Sequence, residues 1–149
     1  MPVNKYGARK TQVDGITFDS RAEAKYYEQL KWLKVSKQIK DFKLQPRFLL
    51  QESFKKNGKT FRKIEYIADF EVHNLDGSIE IIDIKGVETK EFAIKRKLYE
   101  RLYDTPLKVL ALDKSLGFIE LKKLKRKAGK STAKRGNRRR SAVVGSGRR

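Results

Sequence analysis

Apolar residues in this chain recur with a helical period in two stretches and alternate with polar residues through most of the rest. Ala22, Tyr26, Leu30 and Leu33 fall three or four apart, which predicts a helix running to about Val35. Ser20-Arg21-Ala22-Glu23 has the form of a capping box with Phe18 just ahead of it, so that helix is expected to begin near Ser20. Tyr26, Tyr27 and Trp32 share its helical spacing and read as core. A second helix is predicted from about Lys90 to Tyr103, with Ile94, Leu98 and Leu102 inward and Pro106 beyond its end.

Between the helices the period becomes two. Phe42, Leu44, Pro46, Phe48 and Leu50 alternate with mostly polar residues, and Pro46 marks an edge or a break. Lys56-Asn57-Gly58-Lys59 is a hairpin turn. The following strand is expected to carry Ile64, Tyr66, Ala68, Phe70 and Val72 on one side, with Glu65, Ile67, Asp69 and Glu71 on the other. Leu75-Asp76-Gly77-Ser78 turns the chain into an apolar strand, Ile79 to Lys85, that stops at Gly86. Leu107 to Leu112 reads as a buried strand and Phe118-Ile119 as a closing element. Ahead of the first helix, Val13-Asp14-Gly15-Ile16 is a turn between short extended pieces. The order predicts a mixed α/β fold, one domain over residues 1–121.

Charge divides the chain. Its 149 residues hold 37 Lys and Arg against 18 Asp and Glu, a net +19. From Lys122 onward there are 13 basic residues and no acidic one, which leaves +6 for residues 1–121. Residues 122–149 lack apolar periodicity and are expected to form a disordered polybasic tail. Such a field attracts polyanions, and contiguous positive charge with no acidic partner suits a phosphate-tracking arm that adds affinity without specificity. With no cysteine, thiolate zinc sites, disulfides and cysteine nucleophiles are excluded. The lone His73 builds no histidine metal cage and is assigned no role. No apolar run approaches a membrane span, and Met1 to Lys10 lack the apolar core of a secretory signal, so a cytoplasmic protein is expected.

The candidate chemistry lies on two neighbouring strands. Asp83 and Lys85 are two apart on one strand and so share a face. If Asp69 joins them, two carboxylates and an ammonium meet at one point. Two carboxylates with a backbone carbonyl, that of Ile84, suit a hard cation such as Mg2+, for which Mn2+ is expected to substitute. Lys85 is placed to orient water or to neutralise charge on phosphorus. Each residue also has a plain reading. Asp69 and Asp83 are alternatively strand carboxylates paired with lysines, with Lys85 as the partner of Asp83. Yet Asp83 lies in the most apolar strand, where a lone charge is costly. Glu65 and Glu71 read as a solvated face, and Gln45 as a site-adjacent hydrogen bonder. On the second helix Lys90, Lys95, Arg96 and Lys97 are candidate phosphate contacts, or a wet helix face.

Ile67-Ala68-Asp69 followed by Ile82-Asp83-Ile84-Lys85-Gly86 resembles the PD-(D/E)XK nuclease superfamily, with Ala68 standing where the superfamily name has proline. Phe18-Asp19-Ser20-Arg21-Ala22-Glu23 is similar to the first-helix motif of phage junction resolvases, whose glutamate joins the metal site. Together with Tyr6-Gly7, Leu44-Gln45-Pro46-Arg47-Phe48 and Tyr66-Ile67-Ala68-Asp69-Phe70, these resemble a phage-encoded family of that superfamily over residues 4–112. The resemblance implies a restriction-endonuclease-like mixed β-sheet flanked by helices. It implies a metal set of Asp69, Asp83, Ile84 and Glu23, though on the residues alone Glu23 is first a capping group. It further implies a homodimer acting on branched DNA in phage recombination, within a bacterial host. DNA contact is assigned to Lys90, Lys95, Arg96 and Lys97, and in the tail to Lys122, Lys123, Lys125, Arg126 and Lys127. The alternative is a non-catalytic basic nucleic-acid-binding protein whose acidic cluster is structural.

Overall fold

Residues 9–121 are described by a computed structural model; the tail candidates from Lys122 to Lys127 and the Tyr6-Gly7 pair lie outside the described residues. In chain order the elements are β1 (Thr11–Val13), β2 (Ile16–Phe18), α1 (Arg21–Val35), β3 (Asp41–Leu44), β4 (Arg47–Gln51), β5 (Phe54–Lys56), β6 (Lys59–Phe61), β7 (Ile64–Ile67), β8 (Phe70–His73), β9 (Ile79–Ile84), α2 (Lys90–Leu102), β10 (Leu107–Asp113) and β11 (Gly117–Glu120). Ser20 caps α1, its hydroxyl accepting the Glu23 N–H at 3.1 Å. Thr89 caps α2 in the same way through the Phe92 N–H.

The central sheet has the order β11-β10-β9-β8-β3. It is antiparallel except for β9 and β10, which run parallel because α2 crosses between them. One helix covers each face. Tyr26, Tyr27 and Leu30 of α1 pack on Phe70, Val72, Ile82 and Ile84. Phe92 and Tyr99 of α2 pack on Tyr66, Ala68, Ile81 and Val109. The fold is therefore mixed α/β, a mostly antiparallel sheet between two helices. Among the described residues no helix is long and apolar enough to cross a membrane.

Residues 41–73 form one long hairpin with a sharp bend. At the bend Gln45 takes φ +50°, and Pro46 has no N–H to offer a ladder. Pairing continues across it through Gln45 N–H to Asp69 O and Ala68 N–H to Pro46 O, both 3.0 Å. Beyond lie the β4–β7 pair and then the β5–β6 ribbon, whose Asn57-Gly58 turn has both residues at positive φ.

This bend corrects the expectation of one continuous strand with Tyr66, Ala68, Phe70 and Val72 on a single side. Tyr66 and Ala68 face α2, whereas Phe70 and Val72 face α1. Alternation holds within each half, and the break at Ala68-Asp69 switches the faces. The inward stripe expected on α2 is corrected in part: Leu98 packs against the core, but Ile94 and Leu102 do not. Ile94 is 61% and Leu102 51% exposed, while Phe92 and Tyr99 are buried. Both stripes have the helical period. The aromatic one wins because Tyr66 and Phe48 offer ring contacts to Tyr99, at 5.9 and 5.0 Å. Trp32, expected in the core, points to solvent from α1 at 63% exposure. His73, assigned no role by sequence, is half-buried and 2.7 Å from Glu71.

Candidate active site

The β8–β9 ladder pairs Phe70 with Ile82. Asp69, one residue earlier, and Asp83, one residue later, are therefore cross-strand neighbours on the face covered by α2. Their carboxyl groups lie within hydrogen-bonding reach of each other. The Asp69 carboxylate also accepts the Ile84 N–H at 2.8 Å. Since an extended residue turns its N–H and C=O to the same strand edge, the Ile84 carbonyl faces that side as well. Asp83 is the one charged residue among the described ones to be fully buried, at 2% exposure. The Tyr66 hydroxyl donates to it. The Lys85 ammonium stands 3.7 Å from the same carboxylate and 4.6 Å from the centre of the Phe92 ring.

Glu23 reaches the cluster from the other side of the sheet's end. Its backbone N–H is held by Ser20, while its carboxylate accepts a hydrogen bond from the Asp19 backbone and feels the charges of Asp69 and Asp83. The Glu23 side chain is thus shared between the backbone at the helix start and the two aspartates. Burial, then the charges of Asp19 and Asp83, push its carboxyl up to about 7. Asp69 is pushed up to about 9, first by burial and then by the adjacent Asp83 carboxylate. Tyr66 is raised too, by burial and Asp83, and stays a neutral donor. Two carboxylates enclosed together hold a proton at neutral pH unless a cation replaces it.

The basic candidates on α2 diverge, as successive helix positions must. Lys95 lines a groove with Lys85, Tyr66 and Phe92, and pairs with Glu91 at 3.4 Å. Arg96 turns the other way, 3.4 Å from Glu88, beside Leu107 and Lys108. Lys90 and Lys97 are exposed. Of the auxiliary acids, Glu65 pairs with Lys63 and Arg47, and Glu71 pairs with His73. Two residues assigned no place by sequence, Tyr66 and Asp19, belong to the site, and Gln45 lies beside it as expected. Tyr66 anchors Asp83, Asp19 holds Glu23, and Gln45 lines a pocket with Asp19, Glu23 and Asp69. Tyr66 had a signal in the sequence, since a tyrosine on a buried strand face requires a partner for its hydroxyl.

The donors fit a hard divalent cation. All are oxygens, and the driven-up Asp69 carboxyl marks negative charge that nothing nearby fully offsets. Among the described residues no group of three or more His, Asp or Glu side chains is placed to hold a metal ion. Magnesium needs no such group, being held by one or two carboxylates with water and substrate completing its shell.

No curated protein and no solved structure is similar to the chain at a significant level. The profile of one family, described as "Protein of unknown function (DUF1064)", matches residues 3–132. That span covers all the described residues and runs into the polybasic segment, so the chain belongs to the DUF1064 family.

Proposed function

We propose that this chain is a Mg2+-dependent DNA endonuclease of the PD-(D/E)XK superfamily, with a restriction-endonuclease-like fold. One observation carries the reading: Asp83, buried in β9, meets Asp69 across the ladder while Lys85 approaches the same carboxylate. A sheet with one helix on each face agrees with it. Asp69, Asp83, the Ile84 carbonyl and Glu23 would hold the cation, which when bound polarises a phosphoryl oxygen and lowers the pKa of a water. Lys85 keeps its ammonium beside the reacting phosphate, neutralising charge that grows on its oxygens. Tyr66 is a positioning residue for Asp83. Water adds to phosphorus in line, the bond to the 3′ oxygen breaks, and that oxygen takes up a proton, leaving a 5′-phosphate and a 3′-hydroxyl. From the resemblance to junction resolvases, the substrate is branched DNA, cut by a homodimer with one site per strand, in phage recombination inside a bacterial cytoplasm.

The test uses supercoiled plasmid and a synthetic four-way junction, with magnesium, with manganese and with chelator. Wild type is expected to cut in either metal and not in chelator. Asp83→Asn and Lys85→Ala are each expected to lose at least about a hundredfold in rate, the scale of a single electrostatic contact in a transition state. A wild-type protein that binds both DNAs and nicks neither in any divalent metal is a nucleic-acid-binding protein, and the nuclease reading then fails.

A further inference from the structure

The β5–β6 ribbon is unexplained by the site. All six of its strand residues are exposed. From Ser53 to Lys63 the hairpin carries Lys55, Lys56, Lys59, Arg62 and Lys63 and no acidic residue. Lys63 is paired, with Glu65 at 2.9 Å. Lys56 and Lys59 are direct cross-strand partners beside the Asn57-Gly58 turn. Like charges placed opposite each other destabilise a hairpin. Phe54 and Phe61, on the same ribbon face, stack at 4.9 Å with their planes 13° apart, yet remain 45% and 40% exposed. The ring pair explains why an isolated ribbon holds its shape. The Lys59 ammonium lies 5.7 Å from the centre of the Phe61 ring. Neither that contact nor the ring pair explains why two lysines stand directly across from each other at the tip with no acidic residue between them.

We infer that the β5–β6 ribbon is a second DNA-contacting element, with Lys56 and Lys59 gripping backbone phosphates of a duplex beside the proposed cleavage site. A phosphate between the two lysines turns their repulsion into attraction. A two-stranded ribbon is of a size that the major groove admits. From Asp69 back to Lys59 the chain spans at most ~33 Å at ~3.3 Å per residue, which keeps the ribbon tip within one duplex turn of ~34 Å from the site. The ribbon therefore grips the arm of DNA that flanks the cut. The choice of polymer rests on the nuclease reading; the grip itself does not require cleavage.

The test is fluorescence anisotropy of a labelled duplex with the full chain in chelator, across a salt series. Lys56→Ala/Lys59→Ala is compared with wild type and with Lys25→Ala/Lys37→Ala, which removes two exposed charges elsewhere. Abolishing two lysine–phosphate pairs should lower the slope of log K against log salt by about 1.8 and weaken binding roughly tenfold or more at ~0.15 M salt. The control pair should change affinity less than about threefold. Because the chain has no cysteine, Thr60→Cys can carry a photo-crosslinker alone. It should form adducts with the duplex at a fixed offset from the cut or junction point. Equal losses for the two double variants, or no adduct from position 60 while Ser141→Cys gives one, overturn the inference. If the ribbon pair weakens binding but wild type cuts no DNA in any metal, the ribbon stands and the nuclease reading falls. Cleavage with a neutral ribbon pair gives the reverse.

Discussion

Replacing Asp69 with asparagine is expected to stabilise the metal-free protein, and more so as pH rises. In the folded chain the Asp69 carboxyl is raised from 3.8 to about 9, by burial and by Asp83. Between those values the folded state keeps a proton that the unfolded chain has released. Stability therefore falls as pH rises, with a ceiling of about 1.4 kcal/mol per pH unit for one proton. From pH 5 to 8 the ceiling is about 4 kcal/mol. Water reaching Asp69 through the pocket it lines with Glu23 reduces this, and Glu23 adds a part of its own up to about pH 7. A net loss of roughly 2–4 kcal/mol remains. The partnered carboxylates Asp14, Asp41, Glu65 and Asp76 are held low by their partners, and a lowered carboxyl gains stability as pH rises, so none of them adds to this fall. Asparagine is neutral throughout. Its amide oxygen can still accept the Ile84 N–H while its NH2 donates to Asp83. In chelator at pH 8, Asp69→Asn should thus exceed wild type by about 2 kcal/mol or more, roughly 4–8 °C in Tm for a chain of this size, and lie within about 1 kcal/mol of it at pH 5. Urea unfolding followed by circular dichroism is the assay, because the exposed Trp32 is a weak fluorescence reporter. Saturating magnesium should reverse the order, raising wild type by about 3 kcal/mol at a hundredfold excess over Kd and leaving the variant unchanged. A wild-type stability flat from pH 5 to 8 in chelator, or an Asp69→Asn variant less stable than wild type at pH 8, would falsify the convergence of carboxylates on which the site rests.

Tyr66→Phe strips a buried carboxylate of its donor and should cost about 1–3 kcal/mol; in the cleavage assay it should lower the rate while leaving duplex affinity in chelator unchanged. Phe92→Ala should cost about 3–5 kcal/mol in chemical denaturation, whereas Ile94→Ala should stay within about 0.5 kcal/mol; equal costs would mean that α2 packs by its other stripe. Ending the chain after Leu121 removes +13 and should flatten the salt dependence of DNA binding by several units while metal-dependent cleavage persists at low salt; loss of the magnesium-induced rise in stability on that deletion would place the metal elsewhere.

Much of the architecture was legible in the sequence because its signals are local. A capping box announced the first helix and apolar spacing the second, Asn57-Gly58 and Asp76-Gly77 announced turns, and the apolar run Ile79–Ile84 announced a buried strand. Asp83 and Lys85 were bound to share a face by strand alternation alone. The charge division at Lys122 is likewise a property of the sequence. What the sequence left undecided are relations between elements. Two stripes on α2 had equal periodicity, and only the aromatic surface of the opposing sheet turned Phe92 and Tyr99 inward. Alternation through residues 64–72 gave no sign that the faces switch at Ala68-Asp69, since that switch depends on Gln45 and Pro46 in another strand. The same bend sets Asp69 across from Asp83, within reach of a glutamate from α1. Burial and Coulomb repulsion act through space, so the raised carboxyls, the Tyr66 anchor and the side chain of Glu23 exist only once the chain is folded.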